Sequence, residues 1–139
     1  MVRPDIAAAR IARAQAWLTD AAEIFERPAD EFLVAIKDRD LALFFLFLAI
    51  QECIDLAAHW VADASWVPPE DAGSTFDVLA QHGGIDANAA DALRKAVGLR
   101  NRIAHGYAML DYRRVQGESR EGIPALRMFL DAVARAAGL

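Results

Sequence analysis

The chain has 139 residues, of which 55% are hydrophobic, so it is long enough to bury a core and too apolar to belong to the disordered class. Its length predicts one domain over residues 1–139. The formal net charge of −5 argues against a general nucleic-acid-binding surface. Cys53 is the single cysteine, which excludes an internal disulfide and a cysteine-rich zinc site, and its apolar surroundings predict an inert, buried thiol.

No secretory signal is recognisable in the alanine- and arginine-rich beginning of the sequence. The apolar run from Leu41 to Ile50 ends at the polar pair Gln51–Glu52, and its ten residues are too few to span a bilayer. We therefore expect a cytoplasmic protein without a membrane partner.

The first half of the chain predicts three helical elements. Pro4 is tolerated in the first turn of a helix that runs to about Phe25, and Arg27–Pro28 breaks it. A short element follows over residues 30–36. A long helix is expected over residues 40–64, and because its first half is apolar on all sides, either the bundle or a second subunit must cover it.

A loop over residues 66–73 separates this long helix from a short one. Ser74 or Thr75 is predicted to cap the short helix, which ends at Gly83–Gly84. Asp86 is predicted to cap the next helix.

That next helix is expected over residues 87–105, and Gly106 ends or loosens it. Asp111 is predicted to cap a last helix that runs toward Ala137 and that Pro124 divides or kinks. Since no strand-like alternation appears, we predict an all-α fold: a bundle of four to five helices.

The most informative stretch is the octet from Arg100 to Tyr107 at the end of an otherwise apolar helix. The guanidinium of Arg100 binds phosphate in a planar fork, and His105 can transfer protons near neutral pH. These two groups suit RNA cleavage, because the attacking 2′-hydroxyl belongs to the substrate and the enzyme needs no nucleophile of its own.

Four residues separate Arg100 from His105, and one residue separates His105 from Tyr107. This pattern resembles the motif of the HEPN-domain ribonuclease toxins of the HepT group, with Asn101 after the arginine as is usual there. The segment 48–59 resembles that family's second main helix, and the segments 76–86 and 93–97 resemble its approach to the motif. The resemblance covers about residues 40–135. It implies a HEPN-type helical bundle and a minimal nucleotidyltransferase antitoxin as partner.

Together the residues and the resemblance predict a metal-independent endoribonuclease toxin with no cofactor, acting on RNA, with tRNA and mRNA as the candidate substrates. His105 would transfer protons and Arg100 would stabilise the charged phosphorus centre, leaving a 2′,3′-cyclic phosphate. Asn101 would orient His105 or the backbone. The alternative role of His105 is to satisfy free carbonyl groups at the helix end.

The resemblance implies that the antitoxin transfers AMP to Tyr107 and thereby blocks the phosphate site. The alternative is that Tyr107 is an amphipathic packing residue. On a regular helix Arg100 and His105 are separated by roughly 140°, which is too wide for one tight site. We therefore expect a homodimer with a composite site.

Glu52 and Asp55 lie three residues apart on the long helix and are expected to support the site. A buried carboxylate needs a partner, and Arg100 is the candidate whose guanidinium it would orient. The alternative is an ordinary surface pair of acids. Asp55 and His59 alone are weak evidence for a metal ion, so no metal site is predicted.

Six basic residues and one acid, Asp111, lie between Arg94 and Arg114, which gives this stretch +5 and leaves −10 for the rest of the chain. Besides Arg100 and His105, the RNA-binding candidates are Arg94, Lys95, Arg102, Arg113 and Arg114. A solvated helix face is the alternative for Arg94 and Lys95.

A second hypothesis for the whole chain is a non-catalytic helical module that only binds a nucleotidyltransferase partner. The complete motif favours the enzyme, because a module without catalysis should tolerate the loss of a motif residue.

Overall fold

Six α-helices account for most of residues 3–139, which are the residues that the computed structural model describes. They are α1 (Pro4–Phe25), α2 (Ala29–Val34), α3 (Ile36–Asp63), α4 (Ala72–Gln81), α5 (Ala87–Gly106) and α6 (Tyr112–Ala136). A 3₁₀ turn (Tyr107–Met109) joins α5 to α6, and the described residues contain no strand. The all-α prediction is confirmed: α1, α3, α5 and α6 are the long helices of the bundle, and α2 and α4 are short.

The centre of the bundle is α3, which packs against all five other helices. Its side chains Leu46, Ile50 and Leu56 are almost completely buried. Between α3, α4 and α6, the ring of Phe129 meets the edge of Phe76 at a centroid distance of 5.2 Å. Buried residues of every helix join one hydrophobic core, so each long helix contributes an apolar face to it.

By length and composition, α3 could cross a membrane, and no other helix in residues 3–139 has this property. The most apolar part of α3 is 56% buried inside the bundle. Core helices of globular proteins have the same composition, so this is weak evidence for a membrane span.

Two predicted helix caps are confirmed. The side chain of Asp86 accepts a hydrogen bond from the backbone N–H of Ala89 at 2.7 Å, which fixes the start of the motif helix. Asp111 accepts one from the N–H of Arg114 at 3.2 Å at the start of α6. Each cap satisfies a backbone donor that a helix leaves free at its N-terminus.

The predicted cap of α4 was wrong. Asp71, rather than Ser74 or Thr75, caps this helix, since its carboxylate accepts the backbone N–H of Ser74 at 2.8 Å. That hydrogen bond lowers the pKa of Asp71, because it stabilises the charged carboxylate. The helix therefore begins at Ala72, and both predicted caps lie inside it.

Two of the long helices differ from expectation at particular points. α3 begins at Ile36, a few residues before the predicted start, and α2 ends at Val34. α6 runs without division through Pro124, although proline cannot donate a backbone hydrogen bond. Ile123 and Leu126 on either side of the proline are buried, so this part of α6 packs against the core.

The end of α1 is satisfied by side chains of α6. Buried Gln116 donates hydrogen bonds to the carbonyl oxygens of Phe25 and Arg27, at 3.0 and 2.9 Å. Arg120 donates to the same two oxygens at 2.7 Å each. A helix leaves its last carbonyls without partners, and here another helix supplies the donors.

Removal of the Gln116 amide should therefore destabilise the protein more than a surface change on the same helix. We expect Gln116→Ala to lower the free energy of unfolding by about 1–3 kcal/mol, because two hydrogen bonds are lost at a buried position. Urea denaturation measures the difference, and Arg127→Ala, at an exposed position of α6, is the control with an expected change within about 0.5 kcal/mol. Equal denaturation midpoints for the two variants would show that these hydrogen bonds add nothing.

Candidate active site

The motif occupies the last two turns of α5 and the 3₁₀ turn after it. Leu99 and Ile103 are buried and hold this part of α5 against the core. The same packing leaves Asn101 and His105 exposed on the outer face, while Arg100 is partly buried on the side of α3. Arg100 and His105 thus lie on different faces of one helix, as their spacing predicts.

Arg100 is held by an amide of α3. Its Nη1 donates a hydrogen bond to Oε1 of Gln51 at 2.9 Å, and Nε2 of Gln51 donates to Oδ1 of Asp55 at 3.2 Å. The Nε of Arg100 is buried and has no hydrogen-bond partner within residues 3–139. Arg100 is therefore oriented by a neutral acceptor, the amide of Gln51, and Asp55 accepts a hydrogen bond from that same amide.

The predicted pairing of Glu52 with Arg100 is wrong. The buried carboxylate of Glu52 faces α1, where Nε of Arg10 and Nη2 of Arg13 each approach it at 3.4 Å. Glu52 follows Gln51 by one residue, which turns its side chain by about 100° away from α5. Glu52 is consequently neither a partner of Arg100 nor a surface acid, and it joins α1 to α3.

Asp55 supports Arg100 only indirectly, through the amide of Gln51. Gln51 itself was missed by the sequence analysis. The available signal was its position: it is the first polar residue after the apolar run of α3 and lies one helical turn before Asp55. A charged partner was preferred there because carboxylates usually bind guanidinium groups.

His105 and Asn101 have no hydrogen-bond or ion-pair partner in the described part of the chain, and both are exposed. The imidazole of His105 does not donate to the free carbonyls at the end of α5, which was the alternative role considered for it. Both ring nitrogens are thus available to a ligand or to a second protein surface.

Tyr107 is 69% exposed, so it is not a packing residue within this chain. Its backbone carbonyl accepts a hydrogen bond from the hydroxyl of Tyr112 at 3.2 Å. The ring of Tyr112 lies 3.7 Å from the guanidinium carbon of Arg39 on α3. These contacts hold the backbone of the 3₁₀ turn while the phenol of Tyr107 stays accessible.

Acidic residues accompany every basic residue of the predicted RNA-binding set. Arg102 and Arg114 share the carboxylate of Glu118 on α6, and the Arg114 contact measures 2.5 Å. Arg113 lies 3.9 Å from Asp30. The positive stretch seen in the sequence is therefore largely compensated in space.

The basic residues nearer the start of α5 also have acidic partners. Arg94 contacts Asp77 of α4 at 3.2 Å and Asp91 at 3.1 Å, and Lys95 contacts Asp91 at 3.3 Å. All four side chains are at least partly exposed, which fits the solvated face that was the alternative for Arg94 and Lys95. Exposed pairs of this kind contribute little to stability.

The remaining groups with possible metal or nucleophilic chemistry are the His, Cys, Asp and Glu side chains, and Cys53 is the single thiol among them. No group of three or more potential metal-ligating side chains occurs within residues 3–139. Cys53 is fully buried, and burial raises the pKa of its thiol, because the thiolate would lose its hydration. The inert thiol expected from the sequence is confirmed.

Known proteins resemble this chain over most of its length. It is 28% identical to the mRNA nuclease HepT of Shewanella oneidensis over 95 residues. The aligned stretch covers 68% of this chain and 71% of that protein. The solved structure of a tri-AMPylated Shewanella oneidensis HEPN toxin in complex with an MNT antitoxin has a TM-score of 0.85 at 24% identity, with 94% and 98% of the two chains covered. A toxin–antitoxin structure with AMP-PNP gives a TM-score of 0.86 at the same identity and coverage.

These two structures show that the six-helix arrangement is the HEPN toxin fold. The cytosolic protein YutE of Bacillus subtilis shares it more distantly, with a TM-score of 0.74 at 15% identity and 92% and 87% of the two chains covered. The family model described as "Ribonuclease HepT-like" matches residues 15–133, which include all four long helices at least in part. This match covers most of the sequence, and the chain therefore belongs to the HepT-like ribonuclease family.

Proposed function

We propose that this protein is an endoribonuclease toxin that cleaves RNA without a metal ion and is inhibited by a nucleotidyltransferase antitoxin. The observation that carries the proposal is the environment of the Arg100 and His105 side chains on α5. Arg100 is oriented by a neutral amide, so its charge is free for phosphate, and His105 is exposed at the helix end without a partner among the described residues. Membership of a ribonuclease family supports RNA as the substrate.

In the proposed reaction a neutral His105 removes the proton of a 2′-hydroxyl group, and that oxygen attacks the adjacent phosphorus. The bond from phosphorus to the 5′-oxygen breaks, and a protonated His105 donates a proton to the leaving oxygen. Arg100 stabilises the negative charge on the phosphorane. The products are a 2′,3′-cyclic phosphate and a free 5′-hydroxyl.

This reaction needs one base and one acid, and each chain supplies one motif histidine. Two copies in a dimer would supply both, in opposite protonation states. The surface of α3 supports such a dimer: Leu41 and Phe44 are 44% and 55% exposed, and Leu48 on the same face is partly buried. The next residue along this face is Gln51, which holds Arg100. A second copy covering this apolar stripe would therefore lie beside both motifs.

Alanine at either motif position should abolish cleavage with the fold intact. We expect Arg100→Ala and His105→Ala to lower the rate of RNA cleavage by at least about 100-fold, because phosphate stabilisation or proton transfer is lost. Gel analysis of a labelled RNA measures the rate, and circular dichroism checks the helices. Arg127→Ala and His59→Ala, at exposed positions, are the matched controls and should cleave normally.

The same assay tests the reaction type. Cleavage should persist in excess chelator, and an all-DNA oligonucleotide should stay intact because it lacks the 2′-hydroxyl. Cleavage by pure His105→Ala, or cutting of DNA by the wild type, is incompatible with the proposed mechanism.

The dimer can be tested on its apolar stripe. We expect the wild type to sediment as a dimer at micromolar concentration, and Phe44→Asp to sediment as a monomer with little cleavage, because a charge cannot be buried in an apolar interface. Met128→Asp changes an exposed apolar residue of α6 and should remain a dimer. A monomeric wild type in analytical ultracentrifugation would refute the dimer and the composite site together.

The antitoxin is proposed to act on Tyr107. The phenol oxygen of Tyr107 would attack the α-phosphorus of ATP, lose its proton and displace pyrophosphate. The AMP group would then be attached to Tyr107, near the phosphate site of Arg100. The exposure of the phenol supports access to it, and the AMPylated Shewanella toxin is a relative that carries such a modification.

Coexpression with a nucleotidyltransferase encoded beside this protein should add the mass of one or more AMP groups to a peptide containing Tyr107, and should block cleavage. Tyr107→Phe should escape the mass shift and stay active in the presence of the partner. Met109→Leu is the control: it changes an exposed residue of the same turn, leaves the hydrogen bond from Tyr112 to the Tyr107 carbonyl in place, and should still be modified. Full inhibition with an unmodified Tyr107 in the mass spectrum would show that the partner acts by covering the site.

A further inference from the structure

Gln51 occupies the position nearest to the guanidinium of Arg100, and its amide is directional. An ionised carboxylate can only accept hydrogen bonds, so the NH₂ group of Gln51 must face Asp55, at 3.2 Å. The carbonyl oxygen is then the only group that Gln51 can present to Arg100, at 2.9 Å. Arg100 has hydrogen-bond donors only, so Arg100 and Asp55 together hold the amide of Gln51 in this one orientation.

The charge of Arg100 is not compensated by a direct ion pair with any carboxylate within residues 3–139. Glu52, the acid next to Gln51 in the chain, is bound by Arg10 and Arg13 of α1. The Nε of Arg100 is also buried and has no hydrogen-bond partner among the described residues. The guanidinium is therefore fixed in orientation while its charge is retained.

We infer that Gln51 is a positioning residue for RNA cleavage and that Asp55 anchors its amide, so that Arg100 is held ready for phosphate by a neutral group. The inference rests on the proposed ribonuclease function and assigns to that function two residues that do not touch the substrate. A carboxylate at position 51 would hold Arg100 equally well but would compete with phosphate for its charge.

Replacement by glutamate separates this role from simple packing. Gln51→Glu keeps the shape of the side chain and the acceptor for Arg100, but it also sets a second carboxylate 3.2 Å from that of Asp55, so it is made together with Asp55→Asn, whose amide can donate to the new carboxylate. A purely structural role predicts that the double variant cleaves like Asp55→Asn. We expect instead a kcat about tenfold or more below that of Asp55→Asn, with normal helicity and a similar melting temperature. Gln81→Glu, at an exposed position of α4, adds the same charge elsewhere and should cleave normally.

The pH profile gives a second signature. The ratio of cleavage by the double variant to cleavage by Asp55→Asn should rise as the pH falls, because the introduced carboxyl group becomes neutral when it is protonated. The ratio removes every pH effect that the two proteins share. Asp55→Asn alone should lower kcat only slightly, since its carbonyl oxygen can still accept from Gln51 and Arg100 still binds the carbonyl oxygen of the Gln51 amide.

The outcomes distinguish the inference from the function on which it rests. Wild-type protein that does not cleave RNA would refute both. Wild-type protein that cleaves, together with a double variant that matches Asp55→Asn at every pH, would overturn the positioning role and leave the ribonuclease standing. A kcat that is reduced in the double variant relative to Asp55→Asn, and that recovers toward acidic pH, would establish it.

Discussion

The need to bury most of the apolar surface of α3 is the constraint on which the rest of this molecule depends. The other helices pack around α3 and all contribute to one core, while Leu41 and Phe44 stay exposed. The polar residues that follow on α3 are then held at the boundaries between helices. Gln51 faces α5 and meets Arg100, and Glu52 faces α1 and meets Arg10 and Arg13.

This separation has an electrostatic consequence for the motif. The buried carboxylate of Glu52 is satisfied by two arginines of α1, so it does not neutralise the arginine on α5. Arg100 keeps its charge beside a neutral amide, at the end of the apolar stripe of α3 that a second copy would cover. Core packing, charge and the proposed dimer therefore all involve α3, and a change in this helix can affect all three.

Much of this architecture was predictable, and the errors have local causes. The helix periodicity, the caps Asp86 and Asp111 and the buried Cys53 depend on nearby residues only, and all were predicted correctly. The cap of α4 was assigned to Ser74 or Thr75 because the turn of the preceding loop was not visible in the sequence. The basic residues of α5 and α6 looked uncompensated because their acidic partners, such as Asp77 and Glu118, lie outside the stretch that was counted.

The sequence by itself determined the helices, the motif on the end of α5 and the two faces on which Arg100 and His105 lie, because a helix converts spacing directly into direction. Only the tertiary structure decided the partner of Arg100. Gln51 and Glu52 are adjacent in the chain, and either would suit an arginine chemically. The choice depends on how α1 and α5 are arranged around α3, and that arrangement follows from the packing of the whole core rather than from any short stretch of residues.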